Sequence, residues 1–196
     1  MKKLFTILPV LALTTTILLA QAQFGATAGL NMSSVIGEDE SIGMKMGMHI
    51  GVSASIPFSD AMSLKTGALY SIKGGADSED GMDITMSLSY IEIPLNLSFA
   101  VSDQMFLMAG PYVGILIGAN MKVVYDGKTM FESSDTEGLE VMDLGINVGA
   151  GFAVSDAISI NAGYQMGLTS FIEDDDDDPK NSNIHIGMTY SFGNRY

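Results

Sequence analysis

The sequence predicts an all-β protein: an eight-stranded antiparallel up-and-down transmembrane β-barrel. Three observations predict it. Eight stretches alternate large apolar with small polar residues at a period of two. The connections between those stretches alternate short and long. The aromatic residues gather where the stretches end. A barrel that crosses a membrane needs all three: a lipid-facing row on every strand, tight turns on one side with extended loops on the other, and aromatic girdles at both interfaces.

The chain of 196 residues begins MKKLFTILPVLALTTTILLAQAQ. Lys2 and Lys3 precede an apolar run, Leu4 to Ala20, and Ala20-Gln21-Ala22 offers a small-x-small cleavage site. This is the pattern of a secretory signal peptide. Residues 1–22 are expected to be removed, leaving residues 23–196 as one barrel domain. Removal takes away two of nine basic residues and none of the 23 acids, so the formal charge moves from −14 to −16. Nucleic acid is an unsuitable partner for so acidic a chain. There is no Cys, hence no disulfide framework. Past the signal, no apolar run approaches the ~20 residues of a spanning helix, and the longest candidate, Val113–Ala119, is too short. With 47% hydrophobic residues, the chain meets lipid in strands.

Strands are expected near 24–34, 43–58, 61–73, 84–101, 104–123, 141–154, 157–171 and 184–196. Phe24 opens the first. In the second, Met44, Met46 and Met48 share the lipid face while His49 points inward. The third places Tyr70 near the rim opposite its turn. The fourth, SLSYIEIPLNLSF, breaks phase: its apolar set moves from Leu88 and Tyr90 to Ile91, Ile93 and Leu95, and a β-bulge is expected there. The fifth carries VGILIGA. The sixth sets Leu144, Ile146, Val148, Ala150 and Phe152 against Asp143, Gly145, Asn147, Gly149 and Gly151. The seventh sets Ile158, Ile160, Ala162, Tyr164, Met166 and Leu168 against Ser159, Asn161, Gly163, Gln165, Gly167 and Thr169. The eighth sets Ile184, Ile186, Met188, Tyr190 and Phe192 against His185, Gly187, Thr189 and Ser191.

The short connections repeat one phrase. FAVSD occurs at Phe99–Asp103 and Phe152–Asp156, and a looser IPFSD at Ile56–Asp60. Ser and Asp favour turns because their side chains hydrogen-bond nearby backbone. The Phe before each turn anchors one interface, as do Phe24 and Phe192, with Tyr70 and Tyr90 at the other. The long connections fall near 34–43, 74–83, 124–140 and 172–183. A soluble lipocalin-like barrel also alternates over eight strands, but its apolar face lines a cavity and its exterior is rich in Lys, Glu and Asp. Here the polar face is Gly, Ser, Asn and Thr, which suits a narrow lumen.

The stretches YIEIPLNLSF, AGPYVGILIGA, DLGINVGAGFAVSD, AGYQMGLT and IHIGMTYSF resemble the small outer-membrane β-barrel proteins of Bacteroidota, labelled porin-family or PorT-like. The resemblance covers nearly the whole mature chain. It implies an outer-membrane location, contact with lipid and lipopolysaccharide, and delivery by the barrel assembly machinery. It supplies no catalytic residues. Such barrels often end on an aromatic residue that assists assembly. Here FGNRY adds residues after Phe192, although Tyr196 ends the chain in phase with it.

An eight-stranded barrel is just wide enough for side chains to fill it. Its expected inward charges are Lys45, Lys65, Lys73, Lys122, Glu92 and Asp143. A hairpin centred near residue 78 places Lys65 opposite Glu92, and similar arithmetic pairs Lys122 with Asp143. The run GMKMGMH has the soft ligands copper favours, but its methionines face lipid. His49 and His185, the only histidines, face the lumen with no Ser-His-acid set around them. The acids concentrate on the long connections: Glu38–Glu40, Asp77–Asp83, Asp126–Glu140 and the run EDDDDDP at Glu173–Pro179. They suit an extracellular protein or divalent cations beside lipopolysaccharide phosphates. No catalytic, cofactor-binding or metal-ligating residue is assigned and no cofactor is expected. The expected role is non-enzymatic, structural or surface-interacting, in a monomer with a side-chain-filled lumen. The alternatives are a narrow cation-favouring pore for small solutes and a soluble lipocalin-like ligand-binding barrel.

Overall fold

The computed structural model describes residues 22–37, 41–172 and 179–192; most of the expected signal, Glu38–Glu40, residues 173–178 and residues 193–196 lie outside them. Among the described residues nine antiparallel strands form: β1 (Gln23–Ile36), β2 (Ser41–Ser59), β3 (Met62–Glu79), β4 (Met82–Ala100), β5 (Met105–Tyr125), β6 (Lys128–Ser133), β7 (Met142–Ala153), β8 (Ile158–Gly167) and β9 (Lys180–Ser191). Eight of them close a ring, β1-β2-β3-β4-β5-β7-β8-β9, with β9 returning to β1. Closure removes every edge within the ring, which the hydrocarbon demands because no water there satisfies free backbone groups. The ninth strand, β6, pairs with the far end of β5 and stands outside the ring.

The alternation has the expected sense. Leu144, Ile160 and Ile186 face outward with 38, 44 and 58% of their surface exposed, whereas Asn147 is 2% exposed inside. An apolar exterior around a polar interior is the reverse of a soluble barrel, so the lipocalin-like alternative is set aside. Phe24, Phe58, Phe99, Phe152 and Phe192 all stand exposed along the short-turn rim.

The two FAVSD copies build one turn twice. Ser102 Oγ accepts from the Met105 amide at 3.0 Å and Ser155 Oγ from the Ile158 amide at 3.1 Å. The backbone repeats too: Val101 N–H donates to Met105 O at 2.8 Å and Val154 N–H to Ile158 O at 2.9 Å. The looser IPFSD closes differently, with only Asp60 and Ala61 between the paired Ser59 and Met62.

At the opposite end the expected loops are largely strand. The β3–β4 hairpin continues to Glu79 and Met82 around Asp80-Gly81, and the β5–β6 hairpin to Tyr125 and Lys128 around Asp126-Gly127. Both Asp-Gly pairs have positive φ at each residue, 49° and 80° in the first, 50° and 75° in the second. That is the two-residue turn whose twist matches a hairpin. Strands β2 to β5 run 19, 18, 19 and 21 residues, well beyond the roughly 9–11 that a tilted strand needs to span the membrane. Their surplus projects on the loop side, and β7 to β9 do not match it.

Candidate functional site: the lumen, its lid and the projecting sheet

Strand β4 shows how the interior is organised. Its even positions face inward along its whole length, from Ser98, Asn96 and Glu92 through Tyr90 and Leu88. The apparent phase break is therefore no bulge in β4. What changes is the environment. Below Tyr90 the inner face is polar and the outer face is Ile91, Ile93, Leu95, Leu97 and Phe99. Above it the inner face becomes Leu88, Met86, Ile84 and Met82, and the outer face becomes Ser89, Ser87, Thr85 and Asp83. The strand leaves hydrocarbon near Ser89, and the sheet inverts its polarity there.

The expected register shift does occur at this level, but in the partner strand. Ser89 pairs with Gly118 and Tyr90 with Leu116, so Ile117 is the extra residue. Below it the even residues of β5, Tyr112 and Leu116, are inside; above it Ala119 packs inward and Met121 and Val123 follow it. One inserted residue exchanges the two faces.

Three layers fill the barrel from turn to loop end. The lowest is a hollow vestibule of ≈380 Å³, open at the short turns and walled by hydroxyls and amides such as Thr27, Ser53, Asn96, Ser98 and Asn161. The middle layer is a hydrogen-bonded network. Lys73 Nζ lies 2.6 Å from Glu92 Oε2 and 3.5 Å from Asp143 Oδ2. Gln165 donates to Glu92 at 2.6 Å, the Tyr112 hydroxyl donates to Asp143 at 3.3 Å, and Asn181 donates to Asp143 and to the Tyr90 hydroxyl at 3.2 and 3.1 Å. The Lys73 ammonium also stands 4.2 Å from the Tyr112 ring centroid, a cation–π contact. The top layer is an apolar lid of Val35, Leu88, Tyr90, Leu116 and Phe171, with Ile42, Met86, Ala119, Leu139 and Ile172 around it. Phe171 reaches the lid from the segment after β8, held by its amide to Pro179 O and by Glu140 N–H to its own carbonyl.

The lumen acids are those expected in ion pairs, but their cation is Lys73. The β3–β4 hairpin centres on Asp80-Gly81, not near residue 78. Lys65 therefore stands opposite Asn96, with its ammonium 3.0 Å from the Phe106 ring centroid. Lys122 pairs across to Thr85 and Glu132 on the projecting sheet, far from Asp143. Tyr90, expected in the outer girdle, is buried in the lid, whereas Tyr70 does face outward and meets Ser89 Oγ at 3.1 Å. Side chains fill only the loop-side half of the lumen; the turn-side half is hollow.

The two histidines meet, their ring centroids 6.0 Å apart. His49 Nδ1 lies 2.9 Å from Asn31 Oδ1, and Asn31 presents oxygen there because its amide nitrogen faces the Met48 and Ile72 carbonyls. Nδ1 of His49 is thus the donor. The His49 ring covers Gly29 and Gly187, and the His185 ring covers Gly163. The imidazoles follow one another round the wall and do not converge on a point. Among the described residues no group of three or more His, Cys, Asp or Glu is placed to hold a metal. Glycine is what lets the rings lie flat: Phe106 occupies the space of a Gly151 side chain and Tyr112 that of Gly145.

The pattern of an outer membrane protein beta-barrel domain matches residues 19–173. No curated protein matches the chain. Among solved structures, Ail, the attachment invasion locus protein of Yersinia pestis, superposes with a TM-score of 0.53 at 15% identity, over 88% of this chain and 99% of Ail; that structure holds the heparin analogue sucrose octasulfate. Neisserial surface protein A superposes with a TM-score of 0.53 at 13% identity, over 87% of this chain and 99% of its own. At such identities the likeness is one of fold, and both share the ring found here. Matched over most of its length and closed into a lipid-facing ring, the chain belongs to the outer membrane protein beta-barrel domain family and resides in the outer membrane.

Proposed function

We propose that the protein is a non-conducting, non-enzymatic monomer that presents its loop-end face to a partner outside the cell. The observation that carries this reading is the lid. Val35, Leu88, Tyr90, Leu116 and Phe171 close the barrel directly above a buried ion network. A solute entering from the vestibule meets packed apolar side chains and three locked charges. The surplus length of β2 to β5 lies wholly beyond the bilayer, where a spanning domain gains nothing from it. The rival reading, a cation-favouring pore, draws on the acidic rim and on two carboxylates in the lumen. Single-channel recording in a planar bilayer separates the two. The lidded barrel gives no conductance steps under applied voltage, whereas steady cation-selective steps would establish the pore.

On this reading residues 1–22 are a cleaved export signal, the assembly machinery inserts the barrel with the short turns in the periplasm, and its kin include the Bacteroidota barrels its strand phrases resemble. The sulfated ligand seen with Ail is not carried over. This chain's loop-end strands and connections are dense in carboxylates, Asp77, Glu79, Asp80, Asp83, Asp126 and Glu132 among them, and they repel a polysulfate.

A further inference from the structure

Above the membrane the projecting sheet turns an apolar face toward the barrel axis. Residues that pair across strands share a face. Met82 pairs with Glu79 and Tyr125, Ile84 with Asp77 and Val123, and Val123 with Phe131. The same face continues downward through Met86 into the lid. It is left largely uncovered: Met82, Met121, Tyr125 and Phe131 are 42, 37, 50 and 53% exposed. Asp77, Glu79 and Asp80 rim a concavity of ≈340 Å³ whose floor is Met82, Ile84 and Tyr125. Exposed contiguous apolar surface bordered by charge marks an interaction site more often than a solvated surface.

We infer that this inner face of the projecting sheet docks a basic amphipathic segment of a partner protein. The proposal rests on the surface-interaction reading above and deepens it. Apolar side chains of the segment lie along Met82, Tyr125 and Phe131, while its Lys or Arg side chains reach the Asp77, Glu79 and Asp80 carboxylates. Charge complementarity selects the occupant. Three acids rim the concavity, and Lys128, paired with Tyr125 at the hairpin tip, stands outside it, so an acidic segment or a polyanion is repelled there, and a second copy of this chain would bring the same acids against it.

The chain's methionines make the test direct. Protein labelled with ¹³C at the methionine methyls, in phosphatidylcholine nanodiscs, is titrated with a synthetic heptapeptide of alternating Lys and Val. Met82 and Met121 report the proposed face; Met46 and Met48, on the lipid face, are controls, and Met44, which pairs with Gly75 at the level of Met86, is not one. Saturable shifts at Met82 and Met121 are expected, with the controls unmoved. Neutralising the rim with D77N, E79Q and D80N weakens binding about tenfold or more, three exposed ionic contacts being lost. The Tyr125→Ser, Phe131→Ser double variant, checked for folding by heat-modifiable migration, abolishes the shifts. A glutamate-valine peptide of the same length does not bind. Unmoved Met82 and Met121, equal shifts at the lipid-face methionines, binding that survives rim neutralisation, or concentration-dependent shifts without peptide (a second copy on the face) each overturn the proposal. Conductance of the same preparation keeps the two questions apart. A silent bilayer with no peptide binding sinks this inference alone, and a conducting barrel sinks the reading beneath it.

Discussion

Lys73 carries more of the interior than any other residue. It is the cation of the buried ion cluster, and it faces two carboxylates, Glu92 and Asp143, and the ring of Tyr112. Removing one partner of a buried pair leaves an uncompensated charge, which costs about 3–5 kcal/mol. Lys73→Met is thus expected to lower stability by that amount, because it strands both acids. Asp143→Asn keeps the 2.6 Å Lys73–Glu92 contact and is expected to cost about 1 kcal/mol, the scale of one exchanged hydrogen bond. Urea titrations of refolded protein, read by heat-modifiable gel migration, measure both; equal losses would contradict the assignment. The sequence names all three residues as inward charges through strand parity alone. It does not name the partnership, because a pairing depends on the hairpin centre, and a small error there moves every partner along the strand. The correction was also legible: Asp80-Gly81 is the strongest short hairpin signal, and centring on it places Lys65 opposite Asn96.

Among the elements, β4 and β5 show what alternation does and does not report. Period two gives the faces of a strand but not what each face meets. The shift of the apolar set at Tyr90 is as strong a signal as any in the chain, and a bulge in β4 is its simplest explanation. In fact β4 keeps parity and crosses a boundary between hydrocarbon and water, while the inserted residue, Ile117, sits in β5 where VGILIGA is apolar on both faces and hides it. Deleting Ile117 should return β5 to uniform parity. With it gone Gly118 follows Leu116 directly and the β4–β5 ladder runs without a shift, so Ala119, Met121 and Val123 keep the lid side while Lys122 stays outside. The expected outcome is a barrel that still migrates as folded and whose β5–β6 hairpin resists trypsin at Lys122 and Lys128 as the parent does. New cleavage there would show that the register of the hairpin depends on the extra residue.

The whole molecule joins a membrane ring that the sequence foretells to a superstructure that it does not. The eight ring strands, their outward rows, the short-turn rim of phenylalanines and the two serine turns all follow from local pattern. The lid, the vestibule and the projecting sheet depend on which residues share a level around the barrel, and level is set by register among strands distant in sequence. A lidded lumen and a docking face outside the cell both require that the apolar row of every strand faces hydrocarbon. The chain contains no cysteine, so single cysteines introduced along β7 and β8 have no background. In nanodiscs, a lipid-borne spin label should quench a fluorophore at positions 144, 146, 148, 160 and 162, and leave positions 145, 147, 149, 161 and 163 bright. Quenching that fails to alternate, or that alternates in the opposite sense, would contradict the orientation on which the lid and the docking face both depend.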